Sequence, residues 1–233
     1  MIKLLLVEDD PNLGYIIQGG LEDMIGGYEV LTAVNGEEGL KLWKEQRPDV
    51  IVSDIEMPVM DGYEMVRRIR ETDGDTPILF SSALVSPKEV VKGYEIGANN
   101  YIKKPFIPEE LDAHVQALLK MKQGRKSKDE SLCYRLGKSY VLDAAHATLK
   151  HESGVVKTLT VREAGLLQMF CERKGEVIRR EAILDKFWNT EDDYFASRSL
   201  DVFVTKLRKL ISEDTSVVIK TVKGIGLMLI EEK

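Results

Sequence analysis

Short apolar runs punctuate the first half of the chain: Lys3–Val7, Tyr28–Val34, Val50–Ser53, Pro77–Ser81 and Asn100–Ile102. Between them, apolar residues recur three and four apart. Leu13, Ile16, Ile17, Leu21, Met24 and Ile25 form one such stripe, and Leu111, Val115, Leu118 and Leu119 form another. That spacing keeps side chains on one helix face, whereas a continuous run such as Val50-Ile51-Val52 fits a strand covered on both faces. Five strands alternating with five helices predict βα units and a doubly wound, five-stranded parallel sheet.

The pattern changes near residue 122. The stretch KMKQGRKSKDES, which ends at Ser131, is polar and lacks an apolar period. It reads as a linker over 123–131, separating a domain at 1–122 from one at 132–233. The second domain opens on short strand candidates at Tyr134–Leu136, Tyr140–Leu142 and Thr148–Lys150, with a turn at His151–Gly154. Thr160 and Glu163 have capping-box spacing, which satisfies free N–H groups at a helix start. Helical patterns follow near 161–174, 180–188 and 197–212. A hairpin closes the chain, with Val217–Thr221 and Leu227–Ile230 flanking the turn Lys223–Gly226. The expected class is α+β.

Composition adds an asymmetry. The 233 residues carry a formal charge of −6. Residues 1–122 hold 13 basic and 22 acidic side chains, a net of −9, whereas 123–233 hold 20 and 17, a net of +3. Two domains with different partners are implied. The apolar run at the N-terminus has four residues before acids interrupt it, too short for a signal sequence or membrane span. Cys133 and Cys171 lack metal-site spacing, which suggests reduced thiols and a cytoplasmic location.

The candidate chemistry lies at the strand ends. Glu8 and Asp9 follow the first strand, Asp54 the third, Ser82 the fourth and Lys104 the fifth. All then gather at the carboxyl edge of one parallel sheet, where open α/β sheets bind ligands. Crowded carboxylates disfavour one another's ionised form, and a hard divalent cation such as Mg²⁺ relieves this. Asp54 is then placed to attack phosphorus and form an acyl phosphate, with Lys104 stabilising charge and Ser82 donating to the new phosphoryl group. Asp10 and Asp61 read as a helix cap and a turn residue.

The motifs carrying these residues are Val7-Glu8-Asp9-Asp10, Asp54-Ile55-Glu56-Met57-Pro58-Val59-Met60-Asp61-Gly62, Ser81-Ser82-Ala83 and Lys103-Lys104-Pro105-Phe106. With them, residues 1–122 resemble a response-regulator receiver domain, whose fold is flavodoxin-like. The resemblance implies that a sensor histidine kinase phosphorylates Asp54. It also implies that Glu8, Asp9, Asp54 and the Glu56 backbone carbonyl bind Mg²⁺. Ser82 and Tyr101 become a switch pair, with Tyr101 turning inward on phosphorylation.

In the basic half, Leu200, Phe203, Val204, Leu207, Leu210 and Ile211 form one helical stripe. Arg198, Val202, Thr205 and Lys209 fall on the opposite face, flanked by Lys206, Arg208 and the acidic Asp201. Such a face suits a solvated helix or one lying in a DNA major groove. Leu159–Glu163, Glu181–Trp188, Arg198–Lys209 and Thr221–Gly226 resemble the winged-helix domain of OmpR/PhoB-type response regulators. That implies double-stranded promoter DNA as partner, met by Arg198, Ser199, Val202, Lys206 and Arg208, with Thr221 and Lys223 on the wing. It also implies that the loop Trp188–Phe195 touches RNA polymerase and that phosphorylated receivers form a homodimer. Two departures stand out. Leu227 occupies an aromatic position of the family's wing, and Asn99, Asn100 and His114 replace charged residues of its dimer face.

A magnesium-dependent phosphatase of the haloacid dehalogenase type is the enzymatic alternative, because Glu56 lies two residues after Asp54. A receiver whose output binds only protein is another.

Overall fold

The computed structural model describes residues 1–83, 86–126, 132–188 and 196–231. Its first sheet forms because the apolar runs lose nearly all contact with water. Leu4, Leu5, Val7, Val50–Val52 and Ile78–Phe80 are fully buried. The strands are β1 (Ile2–Val7), β2 (Tyr28–Ala33), β3 (Val50–Asp54), β4 (Ile78–Ser82) and β5 (Asn100–Lys103). They pair in parallel in the order β2-β1-β3-β4-β5. The helices are α1 (Pro11–Gly19), α2 (Gly36–Gln46), α3 (Gly62–Arg70), α4 (Pro87–Ile96) and α5 (Pro108–Lys126). Short polar residues set their starts. Asp10, Asn35, Asp61 and Ser86 each accept hydrogen bonds from free N–H groups of the following helix. Asp61 therefore caps α3 as well as closing the loop before it. The first stripe continues past α1 as a π-helical segment, Gly20–Ile25.

The chain divides into two compact units, Met1–Leu119 and Lys120–Lys233. Residues 123–126, expected in the linker, continue α5, and the remaining linker residues 127–131 lie outside the described ones.

The second unit opens with an antiparallel sheet of β6 (Cys133–Leu136), β7 (Tyr140–Asp143), β8 (Thr148–His151) and β9 (Val156–Thr158). Three helices follow: α6 (Val161–Glu172), α7 (Arg180–Phe187) and α8 (Ala196–Leu210). Thr160 and Glu163 form the expected capping box on α6. A second sheet pairs β10 (Ile178–Arg179), β12 (Gly226–Glu231) and β11 (Val217–Val222) in that order. β9 and β10 are additions to the sequence reading. Each is too short to display a period of its own. Among the described residues, no helix is long and apolar enough to cross a membrane.

The structure corrects the reading of Asn99, Asn100 and His114. All three are buried. Asn99 accepts from Ile78 N at 2.8 Å and from Arg70 Nη2 at 3.0 Å, and Asn100 Nδ2 lies 2.8 Å from His114 Nδ1. These residues tie strands to helices from inside and do not form part of an exposed pairing face.

Candidate functional site: an acidic pocket and a basic helix

The parallel register brings the strand ends together. Asp54 closes β3 and Ser82 closes β4, while Glu8 and Lys104 are the first residues beyond β1 and β5. Lys104 Nζ lies 2.5 Å from Asp54 Oδ2 and 2.6 Å from Glu8 Oε2. One carboxylate oxygen each from Glu8, Asp9 and Asp54 lies within 4.8 Å of the others. Burial pushes the Glu8 carboxyl above its usual value, against the pull of Lys104. Burial also opposes charge on Lys104, but hydrogen bonds to Asp54 and Glu8 outweigh it and hold the ammonium above its usual value. Three carboxylates around one ammonium leave an excess of negative charge. That donor set fits a hard divalent cation. Glu56 is exposed in the loop after β3.

The loop from Asp54 to Gly62 is drawn tightly over the strand end. Ile55 N donates to Asp54 Oδ1 at 2.5 Å, and Gly62 N to Ile55 O at 2.9 Å. A Cβ on Gly62 would sit 2.1 Å from the Asp54 carbonyl oxygen, so only glycine allows α3 to start there. Val59 adopts a φ of +68° and is exposed. A β-branched side chain at left-handed φ costs roughly 1–2 kcal/mol. Val59→Gly is therefore expected to stabilise the receiver by about 1 kcal/mol, less the entropy of a freer unfolded chain. Urea unfolding checks it, and a lower midpoint would contradict the strain argument.

Ser82 is buried, and its carbonyl accepts from Lys104 N at 3.0 Å. Tyr101 was expected to turn inward on phosphorylation. In this structure it is inward, at 2% exposed. Its hydroxyl donates to Glu89 O at 3.1 Å and lies 3.5 Å from Tyr63 Oη. Phe80 and Tyr94 pack against its ring, with centroids 5.4 and 5.3 Å away. Gly93 on α4 makes the room, since a Cβ there would stand 2.0 Å from the Tyr101 hydroxyl.

In the second unit, α8 buries Leu200, Phe203, Val204 and Leu207 and exposes Arg198, Asp201, Thr205 and Lys209. Two expected DNA contacts fall on the wrong side. Ser199 is fully buried and Val202 is 9% exposed, because the inner face of the helix is wider than the leucine stripe suggested. Lys206 is ion-paired to Glu163, which lies almost wholly buried at the start of α6. Arg208 donates to Ile219 O and Thr221 Oγ1, each at 2.8 Å. Thr221 and Lys223 are exposed beside the wing turn, where Gly224 has a φ of +74°. Leu227 is buried and pairs with Ile178, so the missing aromatic there concerns the core. Of the loop Trp188–Phe195, only Trp188 lies among the described residues. It is buried against Arg162, Phe187 and Phe203.

The sequence reading missed Arg180. Its guanidinium contacts Asp201 and Ser197 on α8. The basic pair Arg179-Arg180 ahead of a helix was the available signal.

A parallel α/β sheet with an acidic, lysine-closed edge, followed by a helical unit ending in a β-hairpin, is the architecture of a receiver joined to a regulatory output domain. Residues 4–116 match the family described as "Response regulator receiver domain", and 154–229 match "Transcriptional regulatory protein, C terminal". The chain is 35% identical to the transcriptional regulatory protein RprY of Bacteroides fragilis, over 98% of this chain and 94% of the relative. It is 33% identical to PhoP of Bacillus subtilis, the alkaline phosphatase synthesis transcriptional regulatory protein, over 99% and 98% of the two chains. Among solved structures, the response regulator DrrB, a Thermotoga maritima OmpR/PhoB homologue, matches over 99% of both chains, with 32% identity and a TM-score of 0.51. The chain belongs to the OmpR/PhoB-type response regulators, the DNA-binding transcriptional regulators of two-component systems. Family membership sets aside the phosphatase alternative. It also sets aside an output that binds only protein.

Proposed function

We propose that Asp54 accepts a phosphoryl group from a sensor histidine kinase and that the acyl phosphate controls promoter binding by the second unit. The observation that carries this reading is the convergence of Lys104 on both Asp54 and Glu8, with Asp9 beside them. A carboxylate oxygen of Asp54 attacks phosphorus, the P–N bond to the kinase histidine breaks, and that histidine leaves with the electron pair. Lys104 stays within reach of the transferring oxygens and offsets their charge. Glu8, Asp9, Asp54 and the Glu56 carbonyl would hold Mg²⁺, which supplies further charge neutralisation when bound. Ser82, buried at the end of the neighbouring strand, would donate to the new phosphoryl oxygens.

On the output side, Arg198, Thr205, Lys209, Thr221 and Lys223 would meet duplex DNA. Lys206 and Arg208 would act from their intramolecular partners. Two receivers would then pair and set two output units on adjacent half-sites. The segment after Trp188 would touch RNA polymerase, and the protein would work in the cytoplasm. The test is genome-wide footprinting of wild type against Asp54→Ala. Wild-type footprints that weaken in the variant are expected, and identical footprints would refute phosphorylation control.

A further inference from the structure

Two arginines tie α8 to the wing hairpin, Arg180 through both its guanidinium and its backbone and Arg208 through its guanidinium. Arg180, the first residue of α7, donates its backbone N–H to Ile225 O in the wing turn at 3.1 Å. Its guanidinium reaches the other way. Nη1 meets Asp201 Oδ1 at 2.7 Å, and Nη2 meets Ser197 Oγ at 3.0 Å and also the Ser197 carbonyl. One residue thus touches both elements expected on DNA. Further along α8, Arg208 joins the helix to β11 through Ile219 O and Thr221 Oγ1. A cavity of about 350 Å³ lies between α8 and the hairpin, with both arginines in its lining.

We propose that Arg180 is a positioning residue for DNA recognition. It fixes the first turns of α8 relative to the wing, so that both elements reach the duplex in one register. The proposal rests on the DNA-binding reading of the α8 face and deepens it. Two physical points favour positioning over plain stabilisation. The side chains of the pair are 31% and 69% exposed, and an ion pair that open contributes little to folding. Arginine's planar fork, in contrast, fixes direction as well as distance. Asp201 sharpens the argument. An exposed carboxylate on a face that approaches phosphates repels them, and Arg180 both neutralises it and uses it as an anchor.

The test uses the full chain and two probes: a random-sequence duplex pool, and the duplex that wild type enriches from it. Arg180→Ala and Asp201→Asn are each expected to weaken binding to the enriched duplex about tenfold. The double variant should lose no more than Arg180→Ala alone, because both remove one contact. Asp201→Asn discriminates best. Removing a negative charge should tighten binding if only charge mattered, whereas positioning predicts weaker binding to the enriched duplex. The slope of log affinity against log salt should stay unchanged. A fall of about 0.9 in that slope for Arg180→Ala would make Arg180 a phosphate contact and overturn the proposal. Additive losses, unchanged affinity, or a loss matched by a lower melting temperature would overturn it too. If wild type enriches no duplex, the DNA reading of this face falls and the proposal with it.

Discussion

Asp54→Asn is expected to abolish phosphoryl acceptance. The variant should show no mass shift after incubation with a small-molecule phosphodonor and Mg²⁺, while wild type gains one phosphoryl group. The amide cannot supply the nucleophilic oxygen, and the neighbouring acids do not replace it. Glu8 is buried and directed at Lys104, and Glu56 is exposed in the loop beyond. Glu56→Gln should therefore keep the full mass shift, because only its backbone carbonyl is assigned a role. Loss of labelling in Asp54→Asn should not reflect unfolding. Glu8 and Asp54 share one lysine with the Asp9 carboxylate close by, so removing a charge relieves repulsion and the receiver should melt no earlier than wild type. Intact-mass spectrometry alongside thermal melting separates these effects. Persistent labelling of the Asn variant would place the acceptor elsewhere.

Lys206→Ala is expected to destabilise the second unit by about 2–3 kcal/mol, near the lower end for a broken buried ion pair because Lys206 keeps some exposure. Glu163 is left as a buried carboxylate without its cation. Burial opposes its charge in the native protein, but Lys206, with hydrogen bonds from Thr160, outweighs burial and holds the carboxyl below its usual value. The sign follows. A depressed folded value contributes stability above the unfolded pKa and loses it as pH falls through the folded value. The gap between wild type and variant should therefore be widest near neutral pH and shrink in acid. Urea unfolding of both proteins at about pH 7 and about pH 4 reads this out. Unchanged unfolding together with a salt slope lowered by about 0.9 would make Lys206 a DNA contact and not a structural ion pair.

Much of the receiver was legible because its chemistry sits at strand ends, and strand ends follow from apolar runs. Placing Asp54, Glu8, Ser82 and Lys104 at one edge needed only the parallel register. The output unit was harder to read. Helical periodicity locates α8 but not the width of its buried face, which takes in Val202, and the family resemblance alone points to Ser199 as a DNA contact. Pairing of Lys206 with Glu163, 43 positions earlier in sequence, leaves no local signal. Asn99, Asn100 and His114 fall in the stretch that matches the family's dimer face, and nothing local in the sequence marks them as buried. Their burial depends on partners supplied by α3, α5 and the start of β4.

The fit between Gly93 and Tyr101 has a consequence for how this chain can vary. The tyrosine hydroxyl occupies the volume that any side chain at position 93 would fill. Neither position is therefore free to drift alone. A lineage that acquired alanine at 93 would need a smaller residue at 101 or a displaced α4. One that lost the ring at 101 would open a cavity that a larger residue at 93 could fill. Close relatives should change these two positions together.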